Sequence, residues 1–212
     1  MELETGQTLL FIGDSITDCG RARPIAADKD LGDGYVNLVN SLLSVRYPEK
    51  SIRIINTGIG GNRVTDLEAR WQTDCLDLKP DWLSIMIGIN DVWRHFDRST
   101  DPKQVDIQNY ESTYRKLLEQ TRPNLTGLVL MTPFYIEANR DDPMRAMMDS
   151  YSEVVQNLAQ EFDAVFVDVQ GAYDQYLVHR PTQSLCGDRV HPNQAGHLII
   201  AKAFLTAMGF EW

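Results

Sequence analysis

Leu9-Leu-Phe-Ile-Gly-Asp-Ser-Ile-Thr-Asp18 decides the architecture of this chain. Leu9 to Ile12 are apolar in unbroken succession and stop at Gly13. A short apolar run bounded by a turn residue reads as a strand buried on both faces, as in parallel sheets. The chain leaves the sheet at Gly13, and Ser15 stands just beyond it. In open α/β sheets ligands sit in the crevice outside the carboxyl ends of the strands, so Ser15 is a candidate nucleophile. The same residues also read as a Ser-Asp-Thr turn whose side chains cap their own backbone.

Outward from this stretch, the apolar pattern alternates between the two periods. Cys19 to Asp33, rich in charge, Pro and Gly, reads as a surface loop. It leads into a helix from about Tyr35 to Tyr47, with Val36, Val39, Leu42 and Leu43 on its buried face. Ile52 to Ile55 forms a second strand and breaks at Asn56-Thr-Gly-Ile-Gly-Gly-Asn62. So glycine-dense a loop lets backbone N–H groups approach a ligand closely. A helix over Val64 to Leu78 carries Asp66 and Glu68 in its early turns, and a strand over Trp82 to Ile87 ends at Gly88-Ile-Asn-Asp91. A helix over Val105 to Gln120 precedes a strand over Leu128 to Met131, and a helix over Met144 to Phe162 precedes a strand over Val165 to Asp168. The last third holds a short helix around Tyr173 to Leu177, the polar loop Cys186 to Pro192, and a closing helix over Gln194 to Met208. Such alternation implies an α/β fold, a doubly wound, mostly parallel sheet of five strands with right-handed crossovers. In the flavodoxin-like order 2-1-3-4-5 the loops after strands 1 and 3 flank the switch point, which sets Ser15 and Asn90 on one crevice.

The whole chain is consistent with a single domain spanning residues 1–212. Its formal charge of −10, from 30 acidic and 20 basic residues, is spread along the sequence and argues against a nucleic-acid or anionic-membrane partner. Met1-Glu-Leu-Glu-Thr-Gly6 offers neither the basic start nor the apolar core of a secretory signal, and no run of about 18 apolar residues follows. The expectation is a soluble, cytoplasmic protein. Cys19, Cys75 and Cys186 are odd in number and widely spaced, suggesting neither a disulfide framework nor a zinc cluster.

The loop before the closing helix supplies the second half of a possible reaction centre. In Asp188-Arg-Val-His191 the carboxylate can fold back to the imidazole within one turn. A serine hydroxyl needs a neighbouring imidazole to take its proton, and a carboxylate to fix that imidazole's tautomer and stabilise its cation. His191 and Asp188 fit those roles; a His-Pro turn with Asp188 as a helix-entry cap fits the same residues. Attack on an ester creates an oxyanion, and three donors at strand ends could receive it: the Ser15 N–H, the Gly61 N–H and the Asn90 side-chain amide. His95, His179 and His197 are weaker candidates.

Gly13-Asp-Ser-Ile-Thr17, Gly61-Asn62, Gly88-Ile-Asn-Asp91 and Asp188-x-x-His191 occur in the order and approximate spacing of the four blocks of the SGNH (GDSL-type) hydrolases. The resemblance covers nearly the whole chain. FIGDSITDCGRARP, SIMIGINDVWR and MTPFYIEANRDDPMR resemble the acetylxylan esterase branch. The resemblance implies a flavodoxin-like three-layer α/β/α sandwich, with Ser15 as nucleophile, His191 as base, Asp188 as its orienter, and Ser15, Gly61 and Asn90 as the oxyanion hole. It further implies no cofactor and no metal, and a ring-like homo-oligomer, an octamer. Gly-Ile-Gly-Gly-Asn62 departs from relatives that place Ser before the last Gly, a change expected to loosen the loop while keeping the donor.

The implied substrate is an acetylated sugar, xylan or a xylo-oligosaccharide. Trp93, Phe134 and Tyr135 follow strand ends and offer flat apolar faces, and Asp14, Arg94, Glu137 and Asn139 offer partners for hydroxyls, although aromatics at strand ends are more often lids on the core than sugar platforms. Arg21 and Arg23 read as surface partners of nearby acids. A lysophospholipase or thioesterase would use the same blocks but wants a long apolar channel, whereas Cys19 to Asp33 and Ile136 to Pro143 are polar. A carbohydrate-binding module on an inactive hydrolase fold is a third reading. Asp14 and Asp18 as metal ligands of a phosphatase lack further ligands nearby. Met208-Gly-Phe-Glu-Trp212 reads as a seal on the core.

Overall fold

A computed structural model describes residues 3–25, 29–97 and 104–212. Its centre is a five-stranded, all-parallel sheet in the order β2-β1-β3-β4-β5, built from β1 (Thr8–Gly13), β2 (Arg53–Asn56), β3 (Trp82–Met86), β4 (Gly127–Met131) and β5 (Val165–Val167). Every residue of β1, β3 and β4 is buried, as the continuous apolar runs require of strands covered on both faces. β1 lies between β2 and β3, with Leu10 opposite Ile55 on one side and Leu83 on the other. The expected strand order and fold class are therefore found.

The helices are α1 (Ser15–Asp18), α2 (Tyr35–Arg46), α3 (Val64–Asp74), α4 (Ile89–Trp93), α5 (Ile107–Thr121), α6 (Pro143–Glu161), α7 (Val169–Leu177) and α8 (Gln194–Ala207). α2, α7 and α8 pack together, while α3, α5 and α6 form the other covering layer. Val36, Val39 and Leu43 of α2 are buried as the period-3.6 pattern demands, and Leu42 at the stripe's edge is half-buried. Short polar side chains fix several helix starts: Asp106, Asp142, Asp168 and Asn193 each accept backbone N–H groups of the turn they precede.

Several boundaries differ from the sequence reading, among them the end of α3, which falls at Asp74 rather than Leu78. α7 begins at Val169 rather than near Tyr173, because Asp168 caps it directly at the exit of β5. Gly88-Ile-Asn-Asp91, read as a loop, enters the short helix α4. The expected surface loop from Cys19 to Asp33 is anchored inward: Leu31 is buried, and the Asn56 amide donates to the carbonyls of Thr17 and Leu31. Arg21, expected to pair with acids at the surface, is buried and donates to the Gly58 carbonyl, whereas Arg23 does pair with Asp18. No helix among the described residues is long and apolar enough to cross a membrane. At the C-terminus Met208 is buried and Phe210 packs edge-on against Tyr47, while Trp212 remains exposed.

Candidate active site

The turn from β1 into α1 is tight because two glycines permit close approach. A Cβ on Gly13 would meet the Met86 carbonyl oxygen at 2.3 Å, and one on Gly58 would meet the Asp18 nitrogen at 2.2 Å. Asp14 accepts the Ile16 N–H at 3.0 Å and caps α1, so Ser15 is the first helical residue and its hydroxyl faces outward, half-buried. From behind, the Thr17 hydroxyl meets the Tyr35 hydroxyl at 3.0 Å. These contacts fix the backbone that carries Ser15.

Ser15 Oγ lies 3.0 Å from Nε2 of His191, and His191 Nδ1 lies 2.7 Å from Asp188 Oδ2. Asp188 Oδ1 accepts the backbone N–H groups of Val190 and His191, which curls the turn so that its second oxygen meets the ring. Partial burial pushes the Asp188 carboxyl up, but the His191 and Val190 hydrogen bonds outweigh it and hold the group below the ordinary carboxylate value. An ionised Asp188 selects the tautomer with the proton on Nδ1, leaving Nε2 free to accept the Ser15 proton.

The loops after β2 and β3 close the other side. Gly61 has φ +80, a left-handed conformation that glycine adopts without strain, and it is exposed. Asn90, on α4, is buried and donates to the Asn62 carbonyl at 3.0 Å, which ties the two loops together and leaves its second amide hydrogen for a ligand. Beneath them Asp91 accepts the Val64 N–H at 3.1 Å and so caps α3 from another element. Burial, the leading cause, raises the carboxyls of both Asp14 and Asp91 to about 7; backbone hydrogen bonds pull each back, and Asp14 adds a further upward push on Asp91. Arg70 stitches the floor, donating to the carbonyls of Gly13 and Thr57, to Asn62 Oδ1 and to Asp74.

The GDSL-like Lipase/Acylhydrolase family matches residues 11–199, which takes in Ser15, Gly61, Asn90, Asp188 and His191. The chain belongs to that family. An acetylxylan esterase of Geobacillus stearothermophilus is 53% identical over 215 residues, covering 100% of this chain and 98% of the relative. The crystal structure of Axe2, an acetylxylan esterase from the same organism, superposes with a TM-score of 0.98 at 52% identity, covering 100% of this chain and 98% of that one. Further matching structures are catalytic mutants of Axe2 in which a serine, an aspartate and a histidine are each replaced by alanine.

Around this GDSL-family centre the other sequence candidates separate. Trp93 is half-buried with its ring 6.2 Å from that of His191, so it flanks that imidazole. Asp14, expected to meet substrate, is 2% exposed and engaged in capping, because the tight turn directs it beneath Ser15. Tyr135 and Phe134 are buried too, and the Tyr135 hydroxyl accepts from Arg189. Glu137 pairs with Arg189 and accepts the Asn139 N–H, and Arg94 pairs with Asp97 through Nη1. His197 is buried, accepting the Tyr35 N–H on Nδ1, and His95 meets the Val105 carbonyl. Asp18 is held by Arg23 and the Gly60 N–H, and no cluster of metal-ligating side chains occurs among the described residues. Asn62 and Asp91 stood in the sequence reading only as members of the Gly61-Asn62 and Gly88-Ile-Asn-Asp91 blocks, with no role of their own, and Arg70 and Arg189 were given none. Only Arg70 left a faint signal there, as an i,i+4 partner of Asp74 eight positions after Asn62.

Proposed function

We propose that this chain is a serine carbohydrate esterase that removes acetyl groups from xylan or xylo-oligosaccharides, with Ser15 as nucleophile, His191 as general base and acid, and Asp188 as its orienter. The observation that carries the reading is the unbroken relay from Asp188 Oδ2 through the His191 ring to Ser15 Oγ, in a chain 53% identical to an acetylxylan esterase along its full length. In the first step the Ser15 oxygen bonds to the acetyl carbonyl carbon while its proton passes to His191 Nε2. The carbonyl oxygen becomes an oxyanion facing the Ser15 and Gly61 N–H groups and the Asn90 amide. Collapse breaks the bond to the sugar oxygen, which leaves with the proton from His191. Water, deprotonated by His191, then attacks the acetyl-Ser15 ester; acetate departs and the proton returns to Ser15.

The same reading takes the chain as a cytoplasmic homo-oligomer. Its three unpaired cysteines and the exposed Trp212 side chain are in keeping with that. The deciding experiment measures acetate release from acetylated xylo-oligosaccharides beside p-nitrophenyl esters from acetate to octanoate, for wild type and Ser15→Ala. Turnover limited to acetyl sugars and short esters, and lost in the variant, supports the proposal. Preference for octanoate would move the chain to the lipid or thioester branch, and equal activity in Ser15→Ala would remove the nucleophile assignment.

A further inference from the structure

Arg189 stands between Asp188 and His191 in the sequence and has φ +65, a left-handed backbone that costs a residue with a Cβ about 1–2 kcal/mol. Such a conformation persists where its surroundings over-determine it, and here they do. The Arg189 carbonyl accepts the Ile136 N–H at 2.9 Å. Its Nη1 lies 2.9 Å from Glu137 Oε2 and 3.5 Å from Asp142 Oδ2, and it donates to the Tyr135 hydroxyl at 3.3 Å. The guanidinium also lies 5.8 Å from the Tyr135 ring centroid.

The segment that grips Arg189 is itself rigid. Arg145, 1% exposed, donates to the Glu137 carbonyl and pairs with Asp174 and Asp149. The Tyr135 N–H is taken by Gln170, whose amide donates to Asp174. A continuous set of hydrogen bonds therefore runs from α6 and α7 through residues 135–137 to the one residue separating Asp188 from Val190 and His191.

We infer that Arg189 is a positioning residue: anchored by Glu137 and Tyr135, it locks the Asp188–His191 turn onto the segment after β4 and so sets the reach of His191 Nε2 to Ser15. The inference rests on the triad reading above. Its guanidinium is nearly half exposed, so the ion pair adds little to stability. Its effect falls on geometry, where a displacement of about 1 Å costs about 10²-fold in rate.

The test uses p-nitrophenyl acetate, which carries no sugar, alongside acetylated xylo-oligosaccharides. Arg189→Ala is expected to lower kcat about 10- to 100-fold on both substrates, with KM and thermal midpoint nearly unchanged. Arg189→Lys should recover part of the loss by keeping a cation for Glu137. Glu137→Gln should reproduce part of it, and Arg189→Ala/Glu137→Gln should be no slower than Arg189→Ala, since both act through one contact. Wild-type kcat in Arg189→Ala would overturn the inference. A rise in KM confined to the sugar substrate would also overturn it, making Arg189 a sugar contact. Wild type inert on both substrates would instead count against the esterase reading itself.

Discussion

The Ser15 hydroxyl oxygen lies 3.0 Å from Nε2 of His191, although 176 positions separate the two residues in the chain. The parallel sheet makes that meeting possible, because every crossover returns the chain to the same end, where β1 exits and the loop before α8 passes. Asp188 Oδ2 completes the relay at 2.7 Å from His191 Nδ1. Ser15→Ala and His191→Ala should each leave the fold intact and lower kcat by about 10⁶-fold, while Asp188→Asn should cost about 10⁴-fold, because the imidazole survives with its tautomer misassigned. Circular dichroism and initial rates on p-nitrophenyl acetate check both halves of this expectation. Asp188→Asn as damaging as His191→Ala would show that the carboxylate does more than orient the ring.

Asn90 has one amide hydrogen committed to the Asn62 carbonyl, and its amide carries a second donor. Asn90→Ala removes a donor to the developing oxyanion and should reduce kcat about 10²- to 10³-fold with KM changing far less. Steady-state kinetics separate the two constants. A variant that changed only KM would place Asn90 in ground-state binding.

Two buried carboxyls lie under the same floor, and their titration should be visible in stability. Burial raises Asp14 and Asp91 from an ordinary value of 3.8 to about 7 in the folded protein, so between those limits the native state holds more protons than the unfolded one. Stability therefore falls as pH rises from about 4 to about 7, by a few kcal/mol at most. Asp91→Asn keeps an acceptor for the Val64 N–H and removes the charge. It should match wild type in urea midpoint near pH 4 and exceed it at pH 8. Equal pH slopes for the two proteins would show that Asp91 ionises freely in the folded state.

The residues that could be read from sequence are those whose meaning is local. Leu9 to Ile12 announce a doubly buried strand through their neighbours alone, and Asp188 reaches His191 within one turn. Burial is a tertiary property, and the sequence leaves it open. Asp14 and Tyr135 have the chemistry of sugar ligands, but one is turned beneath α1 and the other under Arg189. Arg70 showed in the sequence only its i,i+4 spacing to Asp74, since its acceptors on Gly13, Thr57 and Asn62 come from separate loops that only the assembled sheet brings together. Arg145 carries a charge on a helix and is nevertheless 1% exposed, because that charge is compensated by Asp149 and Asp174, the second of which lies on another helix.

His197 opposes the two aspartates over nearly the same range of pH. It is buried between α2 and the end of α1, with Nδ1 accepting the Tyr35 N–H and Nε2 lying 3.4 Å from the Cys19 sulfur. Burial, with a smaller push from His191, lowers it from 6.5 to about 4. The unfolded chain therefore binds the extra proton first, and stability is lost as pH falls from about 6.5 towards 4, by on the order of 3 kcal/mol. Replacing His197 by Gln keeps an acceptor for the Tyr35 N–H and removes the titration. In that variant the opposing His197 contribution should vanish, leaving the slope from Asp14 and Asp91, so that from pH 7 to pH 4 the urea midpoint rises more steeply than in wild type. If the variant and wild type changed equally with pH, the proton would be entering elsewhere, and His197 would already be charged in the folded protein or indifferent to its burial.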